Sequence, residues 1–431
     1  MPGDTALGAV LRQLRVTRNL TQGFVARRAG CDQSLLSKIE SGLRALPRWL
    51  AIALDEVYLT GSMVTDLLHN GDVTSHLTGG RVSPDGLVLV QLPGGGPPMA
   101  VSRRQLLATV GVGLLGSSAA IALEQTVSAL TPTQGLLADY TAAFEGYQIA
   151  VRTMAPTRLI DAMAGRAVVL DLLRRRTSGA LRRAFLALQG RYAESLSWLN
   201  EEAGRTEDAL FWLDRAGEWA QIGGWNGLAG YTYVRRSMLV LTAADDSGRA
   251  IELAETALAM PGVPARIRGL AAKQAAFGHA IAHNADASAR ALDTAMELLA
   301  AGHDESAGEL GQRSVPGDDL YAIFQATCAV HLGRGEQAID VLQPRLSRLS
   351  AASPRTAAIT TGKLAHAYAN VGLPTQAAQL AMNALEQAKA IESQSTSREI
   401  RRALVPLQQW HRRDDVAELL HRMPLGAVKL V

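Results

Sequence analysis

The chain has 431 residues, 48% of them hydrophobic, which is enough to bury the cores of two or three domains. Its 43 basic and 40 acidic residues leave a formal net charge of only +3, which excludes a protein that is basic as a whole, so nucleic-acid binding would need a local face. The two cysteines, Cys31 and Cys328, lie far apart and exclude a disulfide framework, as is usual in a reducing compartment. The first residues carry no signal-peptide pattern, so we expect a cytoplasmic protein.

The N-terminal region predicts a series of short helices. Apolar residues recur at helical spacing between Leu7 and Leu14 and predict a first amphipathic helix. The stretch 20–44, LTQGFVARRAGCDQSLLSKIESGLR, then predicts two short helices joined by a turn at Gly30, where glycine can adopt a positive φ. These helices would pack closely, because small and apolar residues occupy their inward positions.

Polar side chains cover the outer face of the second of these short helices. Thr21 and Asp32 precede the two helices, and each is expected to cap its helix through the side chain. Leu36 and Ile39 are the predicted buried positions. The outward positions are Gln33, Ser34, Ser37 and Lys38. A face with hydrogen-bonding groups, one cation and no carboxylate suits base edges and phosphates in a major groove.

These residues resemble the Xre-type helix-turn-helix family of phage-repressor-like regulators, through LTQ, A, G, S and SKIESG at fixed offsets. In that family the second helix enters the major groove of DNA, and dimers bind paired half-sites. The resemblance implies that Gln33, Ser34 and Lys38 face bases. It also implies that Ser37 and Arg44 face the DNA backbone.

The same resemblance assigns supporting roles to residues around the motif. Gln22 would reach a phosphate and brace Gln33. Arg15 and Glu40 would form an ion pair that holds the first helix to the recognition helix. The full predicted DNA-binding set is Thr21, Gln22, Gln33, Ser34, Ser37, Lys38 and Arg44. Ordinary solvated polarity is the alternative for each member.

A helix that opens at Pro47, and one more after it, complete a five-helix domain predicted over residues 1–70. A module of this size is too small to read a long site alone, so we expect a homodimer whose contacts come from elsewhere in the chain. Residues 71–101 are predicted as a linker. In it, the apolar runs 87–92 and 99–101 flank the turn-forming PGGGPP and predict a β-hairpin.

Residues 102–130 are predicted as a separate apolar helix. They begin with SRRQLL, which resembles a twin-arginine export signal, and an uncharged run follows at 106–123. Export, a membrane tether and a buried helix are the alternatives. A predicted DNA-binding domain precedes the motif, and glycines and serines dilute the run, so we expect a helix packed on the second domain or across a dimer, and no membrane partner.

Residues 131–431 are predicted to be helical and repetitive. A pattern of small residues followed by apolar ones recurs with offsets of 41, 38, 50 and 39 residues. Its first positions are Ala209, Ala250, Ser288, Ala338 and Ala377. A glycine stands five residues before three of them, at Gly204, Gly333 and Gly372. This pattern predicts a unit of helix, glycine turn and helix, and it resembles the tetratricopeptide repeat family, with a generic α-solenoid as the alternative.

Aromatic residues cluster early in this repeat region. They suggest a groove for a peptide or small molecule, with an arginine that could bind a carboxylate. The candidate ligand-binding residues are Trp198, Trp212, Trp219, Tyr231 and Arg235. The alternative is that the aromatic side chains fill the seams between repeats.

Chemistry beyond binding has no support in the sequence. His279 and His283 share one helix face, but no third ligand has suitable spacing, so no metal is expected. PGGGPP lacks the lysine of a phosphate-binding loop, and no nucleophile motif occurs. We therefore expect no cofactor and no enzyme activity.

These features together predict an all-α protein with an N-terminal helix-turn-helix domain and a C-terminal α-solenoid. Its predicted function is that of a sequence-specific transcription regulator that binds an operator in double-stranded DNA. The helical repeats would bind a peptide or small-molecule effector and support dimerisation. This layout resembles the peptide-pheromone receptors of Gram-positive bacteria and many actinobacterial regulators. A promoter-tethered scaffold, whose repeats bind a protein partner, is the alternative.

Overall fold

The computed structural model describes residues 3–70, 87–90, 99–102, 131–301, 310 and 317–423. Apart from one β-hairpin, the ordered elements of these ranges are helices, as the sequence predicts. Contacts divide the chain into two units, Met1–Asn200 and Glu201–Val431. The first unit therefore includes helices that the sequence-based boundaries assign to the repeat domain.

Residues 3–70, called the head below, form the five predicted helices. They are α1 (Thr5–Thr17), α2 (Gln22–Arg28), α3 (Gln33–Glu40), α4 (Arg48–Tyr58) and α5 (Met63–Asn70). Val25, Leu36 and Ile39 are buried, as their spacing predicts. Gly30 lies between α2 and α3 with φ +70°, a conformation that glycine adopts without strain.

Side chains cap two of these helices and fail to cap a third. Asp4 accepts hydrogen bonds from the backbone of Ala6 and Leu7 at the start of α1, and Thr21 accepts one from Phe24 at the start of α2. Asp32 stands at the N-cap position of α3, but its side chain accepts no capping hydrogen bond. The predicted side-chain cap at Asp32 is therefore wrong.

The predicted hairpin is present in the linker. Strands β1 (Leu87–Val90) and β2 (Met99–Ser102) pair antiparallel, with Leu87 opposite Ser102 and Val90 opposite Met99. The rest of the linker and most of the predicted apolar helix at 102–130 lie outside the described residues. Among the residues that are described, no helix is long and apolar enough to cross a membrane.

Three longer helices follow, and the last of them ends two residues beyond the boundary of the first unit. They are α6 (Gln134–Ala150), α7 (Pro156–Arg175) and α8 (Gly179–Glu202). Arg166 on α7 donates from Nε and Nη2 to Asp66 Oδ2 at 2.9 and 2.6 Å, and Tyr147 on α6 donates to the same oxygen at 3.1 Å. Arg158 also pairs with Asp4 at 2.6 Å. These buried and half-buried contacts fix the head against α6 and α7.

The second unit is a run of helices in which consecutive members pack against one another. They are α9 (Thr206–Gly223), α10 (Asn226–Ala243), α11 (Ser247–Ala259), α12 (Ala265–Ile281), α13 (Ala285–Ala301), α14 (Gly317–His331), α15 (Gly335–Leu342), α16 (Leu346–Ala352), α17 (Pro354–Asn370), α18 (Pro374–Ala390), α19 (Gln394–Leu407) and α20 (Asp414–Arg422). Short 3₁₀ turns, Gln343–Arg345 and Gln408–Trp410, follow α15 and α19.

The sequence pattern of small residues and glycines matches this packing. All five pattern positions, from Ala209 to Ala377, have no exposed surface. Gly204, Gly333 and Gly372 have φ between +74° and +76° and lie in the turns before α9, α15 and α18. Small side chains let neighbouring helices approach, and the glycines reverse the chain between them. The predicted unit of helix, glycine turn and helix is therefore observed at these three places.

Candidate nucleic-acid interface

The outer face of α3 is polar and open. Its four outward residues, Gln33, Ser34, Ser37 and Lys38, are all exposed, as the sequence predicts. Leu36 and Ile39, on the opposite side, are 0% and 2% exposed and hold α3 to the head. Arg44, just beyond the helix, is exposed as well. The head therefore presents amide, hydroxyl, ammonium and guanidinium groups together, which are the groups that bind base edges and phosphates.

One buried carboxylate sets the position of this face. Glu40, at the end of α3, accepts from Arg15 Nε at 2.7 Å and from Arg15 Nη2 at 2.8 Å. Gln22, which begins α2, donates its amide to Glu40 Oε2 at 2.9 Å. The hydrogen bond from Arg15 to Glu40 raises the pKa of the guanidinium. Glu40 thus joins α1, α2 and α3, and the predicted ion pair is present.

The position of Gln22 differs from the predicted one in part. Gln22 was predicted to brace Gln33, but its amide instead donates to Glu40. Gln33 lies over Gly23, where a β-carbon would come within 3.2 Å of the Gln33 Oε1 atom. The bare backbone at Gly23 therefore makes room for Gln33, a role that the sequence reading missed.

A second glycine was also missed. Gly8 lies within α1, and a β-carbon there would lie 2.4 Å from the carbonyl oxygen of Ile39. Only a residue without a side chain lets α1 cross the end of α3 this closely. A glycine inside a helix with a clear apolar face is the signal that could have predicted this contact.

In the head, most acidic side chains are engaged in contacts and most basic side chains are exposed. Residues 3–70 contain eight basic and six acidic side chains. Four of these carboxylates are engaged within the first unit. They belong to Asp4, Glu40, Asp55 and Asp66. Most cations of the head are exposed instead: Arg12, Arg27, Arg28, Lys38, Arg44 and Arg48. Asp32 remains an exposed acid at the start of α3. The small formal charge of the whole chain therefore hides a local basic surface.

Part of the predicted set lines one open depression of about 760 Å³. Thr21, Gln22, Gln33 and Ser37 lie in its wall, beside Arg12 and Arg15. The other three predicted residues, Ser34, Lys38 and Arg44, lie outside it on the exposed surface. The depression therefore brings four of the seven predicted residues together.

The candidate ligand-binding residues of the repeat region have different surroundings. Trp212, Trp219 and Tyr231 are 4, 9 and 5% exposed and belong to the interior of the second unit. Arg235 is 1% exposed and donates to Glu201 Oε2 at 2.6 Å. Trp198, in the first unit, is half-buried. Burial of these aromatic rings agrees with the alternative that they fill seams between helices.

Comparison with known families agrees with the geometry of the head. Residues 6–68 match a family model described as a helix-turn-helix domain, and the match spans α1 to α5 without reaching the rest of the chain. No curated protein matches the chain. The matched domain and its exposed polar helix support a DNA-binding regulator.

Proposed function

We propose that this protein is a sequence-specific transcription regulator of the Xre type that places α3 in the major groove of an operator. The observation that carries the proposal is the outer face of α3, where Gln33, Ser34, Ser37 and Lys38 are exposed while the nearby Glu40 is buried and paired. A helix with exposed donors and acceptors and engaged carboxylates fits a polyanion with readable base edges.

The predicted roles fit the hydrogen bonds that are already made. Gln33, Ser34 and Lys38 would contact bases, and Ser37 and Arg44 the DNA backbone. Gln22 can still contact a phosphate, because its amide has two N–H donors and only one is given to Glu40. The contact to Glu40 would then hold Gln22 in place before DNA arrives.

The first experiment selects fragments of the host genome that the purified full chain retains, and then measures their affinity at several salt concentrations. Gln33→Ala and Lys38→Ala should each weaken the preferred site by about 1–3 kcal/mol and relax its specificity. Arg44→Ala should weaken all sequences alike and reduce the salt dependence by about one counterion. Lys389→Ala, on the exposed surface of α18, is the charge-matched control.

Unchanged affinity in all three variants would contradict the proposed docking of α3. Loss of affinity without any change of specificity in Gln33→Ala and Lys38→Ala would assign them to the DNA backbone. A regulator that reads bases requires at least one of the two to change which fragments are selected.

We further propose that the helical repeats are tetratricopeptide-like, bind a peptide or small-molecule effector, and support a cytoplasmic homodimer. The glycine turns and the fully buried small positions of the second unit support the repeat assignment. Sedimentation of the full chain with and without its selected DNA fragment measures the mass of the complex. A homodimer predicts two chains on each DNA fragment. A single chain on each DNA would contradict it.

A further inference from the structure

Two partly buried lysines of the second unit contact the same face of α14. The Nζ atom of Lys273, on α12, lies 3.9 Å from the centre of the Phe324 ring. The Nζ atom of Lys363, on α17, donates to Thr327 Oγ1 at 2.9 Å. Phe324 and Thr327 are three residues apart and share a face of α14, so this helix holds both ammonium groups on one side.

Neither ammonium group has a carboxylate bound to it. In the described part of the chain Lys273 has no hydrogen-bond acceptor and only the face of Phe324, while Lys363 has the Thr327 hydroxyl. Glu399 on α19, whose charge acts on Lys363, accepts a hydrogen bond from Arg402 at 3.0 Å. Burial lowers the pKa of Lys273 to about 8, with a further contribution from the charge of Lys363. Two like charges in such surroundings destabilise the fold.

Two buried arginines of the same unit, in contrast, have carboxylate partners. Arg235 pairs with Glu201 at 2.6 Å, and Arg355 pairs with Glu202 at 3.0 Å. Both arginines are at most 3% exposed on their side chains. These two arginines each have a glutamate, whereas among the described residues the buried Arg266 donates only to the carbonyl of Leu310, and neither lysine has a carboxylate bound to it.

The remaining charges nearby do not neutralise the lysines. Arg402 adds a third cation to the group, and it pairs with Glu399 at 3.0 Å and with Asp245 at 3.9 Å. Burial lowers the pKa of His331 to about 3 and that of His366 to about 4, so both rings are neutral at pH 7. Burial likewise raises the pKa of the Cys328 thiol, which stays protonated. Three cations and two carboxylates leave one positive charge without a counter-charge, and neither lysine is bound to either acid.

The lysines are also reachable. Lys273 and Lys363 keep part of their side-chain surface accessible, and so do Phe277 and Phe324. These residues come from three helices of the second unit, α12, α14 and α17. Partly exposed lysines beside partly exposed aromatic residues could hold a charged group together with an organic body.

We propose that Lys273 and Lys363 bind a small ligand that carries two negative charges, a phosphate monoester or a dicarboxylate. The proposal deepens the effector-binding role proposed above and rests on it. A dianion would supply the negative charge that the protein does not place beside the two lysines. Its hydrogen bonds to both ammonium groups would offset their mutual repulsion. The rings of Phe277 and Phe324 would contact the uncharged part of the ligand.

The test measures the thermal stability of the full chain in a buffer without phosphate or carboxylates, while inorganic phosphate or succinate is added. Either anion should raise the melting temperature in a saturable way. Lys273→Met and Lys363→Met should each weaken the apparent affinity about 10- to 100-fold, the value of a charge-assisted hydrogen bond. Lys389→Met, an exposed lysine on α18, should behave as wild type.

The same variants separate a ligand site from a structural role. Without added anion, Lys273→Met and Lys363→Met should melt at a higher temperature than wild type, because each removes an uncompensated charge. A response to phosphate alone or to succinate alone identifies which anion the site takes. Equal shifts in all variants, or no shift with either anion, would overturn the proposal.

A measurement on the wild-type chain covers the case in which a variant fails to fold. Acetic anhydride modifies accessible amines, and mass spectrometry reports each lysine separately. Phosphate or succinate should slow the modification of Lys273 and Lys363 several-fold while Lys389 is unaffected; absence of protection by either anion would overturn the proposal. Fragment selection with the same preparation reports on DNA binding independently, so a chain that selects an operator but shows no protection refutes the anion site alone.

Discussion

The head and the second unit use the same ion pair, arginine with glutamate, for different purposes. In the head, Arg15 and Glu40 are 13 and 3% exposed, and their pair positions a helix whose other face is open. In the second unit, Arg235 and Glu201 are 1 and 4% exposed, and their pair lies wholly inside. The first pair supports a surface that a large partner can contact. The second stabilises the interior of the second unit.

The two regions also differ in where their cations lack a bound carboxylate. The head engages most of its carboxylates and leaves its cations on the outside, where a polyanion can reach them. The second unit pairs the buried Arg235 and Arg355 with glutamates and leaves Lys273 and Lys363 without a bound acid. Residual positive charge therefore marks both candidate sites, outward in one region and inward in the other.

Removal of the interior acid should have the largest effect. Glu201→Gln leaves the guanidinium of Arg235 buried without its counter-charge, and we expect a loss of about 3–5 kcal/mol of unfolding free energy. Urea denaturation of the full chain, followed by helical circular dichroism, measures the change. Glu218→Gln is the matched control, because its pair with Arg215 is exposed and should contribute less than about 1 kcal/mol. Equal losses in both variants would contradict the distinction between interior and surface pairs.

The corresponding change in the head should be smaller and should reach DNA binding. Glu40→Gln weakens the bonds from Arg15 and Gln22, and we expect a loss of about 1.5–3 kcal/mol, the range for hydrogen bonds to a charged group. Operator affinity should fall together with stability, because α3 loses its link to α1. Glu56→Gln, on the exposed side of α4, should change neither quantity. Lower stability with full operator affinity would show that Glu40 does not position α3.

Acid should selectively destabilise the second unit. His331 and His366 are neutral in the fold, and Lys363, Arg402 and Glu399 are the charged groups around them. Their folded pKa values of about 3 and 4 lie below the unfolded value near 6.5, so the unfolded chain binds protons first as the pH falls. From pH 6.5 to 5 each histidine should cost about 1.5 kcal/mol.

Thermal melts between pH 7 and pH 5 measure this loss. His366→Gln should flatten the dependence by removing one of the two titrations. His411→Gln, in which the replaced ring is exposed, is the control and should leave the slope as in wild type. A slope that is unchanged in His366→Gln would mean that this histidine does not titrate differently in the folded and unfolded chain.

Sequence reasoning recovered most of the head because its determinants are local. The five helices, the open face of α3 and the pair of Arg15 with Glu40 follow from residue types at fixed offsets. The roles of Gly8 and Gly23 were missed, since each depends on how closely another helix approaches. That distance is set by packing, which a pattern along the chain does not encode.

The second unit was predictable in its architecture and not in its interior. Glycine turns and small residues predicted the helical pairs, because both act between neighbours in sequence. The pairing of Glu202 with Arg355 joins residues 153 positions apart, and no periodicity points to it. For the same reason the sequence does not predict a site at the two lysines. That neither has an acid bound to it is evident only from the packing of α12, α14, α17 and α19.

The smallest expected effects distinguish two caps that look alike in sequence. Thr21→Ala removes the hydrogen bond to the Phe24 amide and should cost about 1 kcal/mol, the usual value for a side-chain cap. Asp32→Ala removes no such bond and should cost only a few tenths of a kcal/mol, from its charge near the start of α3.

The two substitutions should change DNA affinity in opposite directions. Thr21→Ala weakens binding, whereas Asp32→Ala strengthens it by removing the exposed acid that repels phosphate. Binding isotherms at low and high salt test this, because the gain from Asp32→Ala should shrink as salt screens the charge, and a gain that persists at high salt would contradict an electrostatic cause.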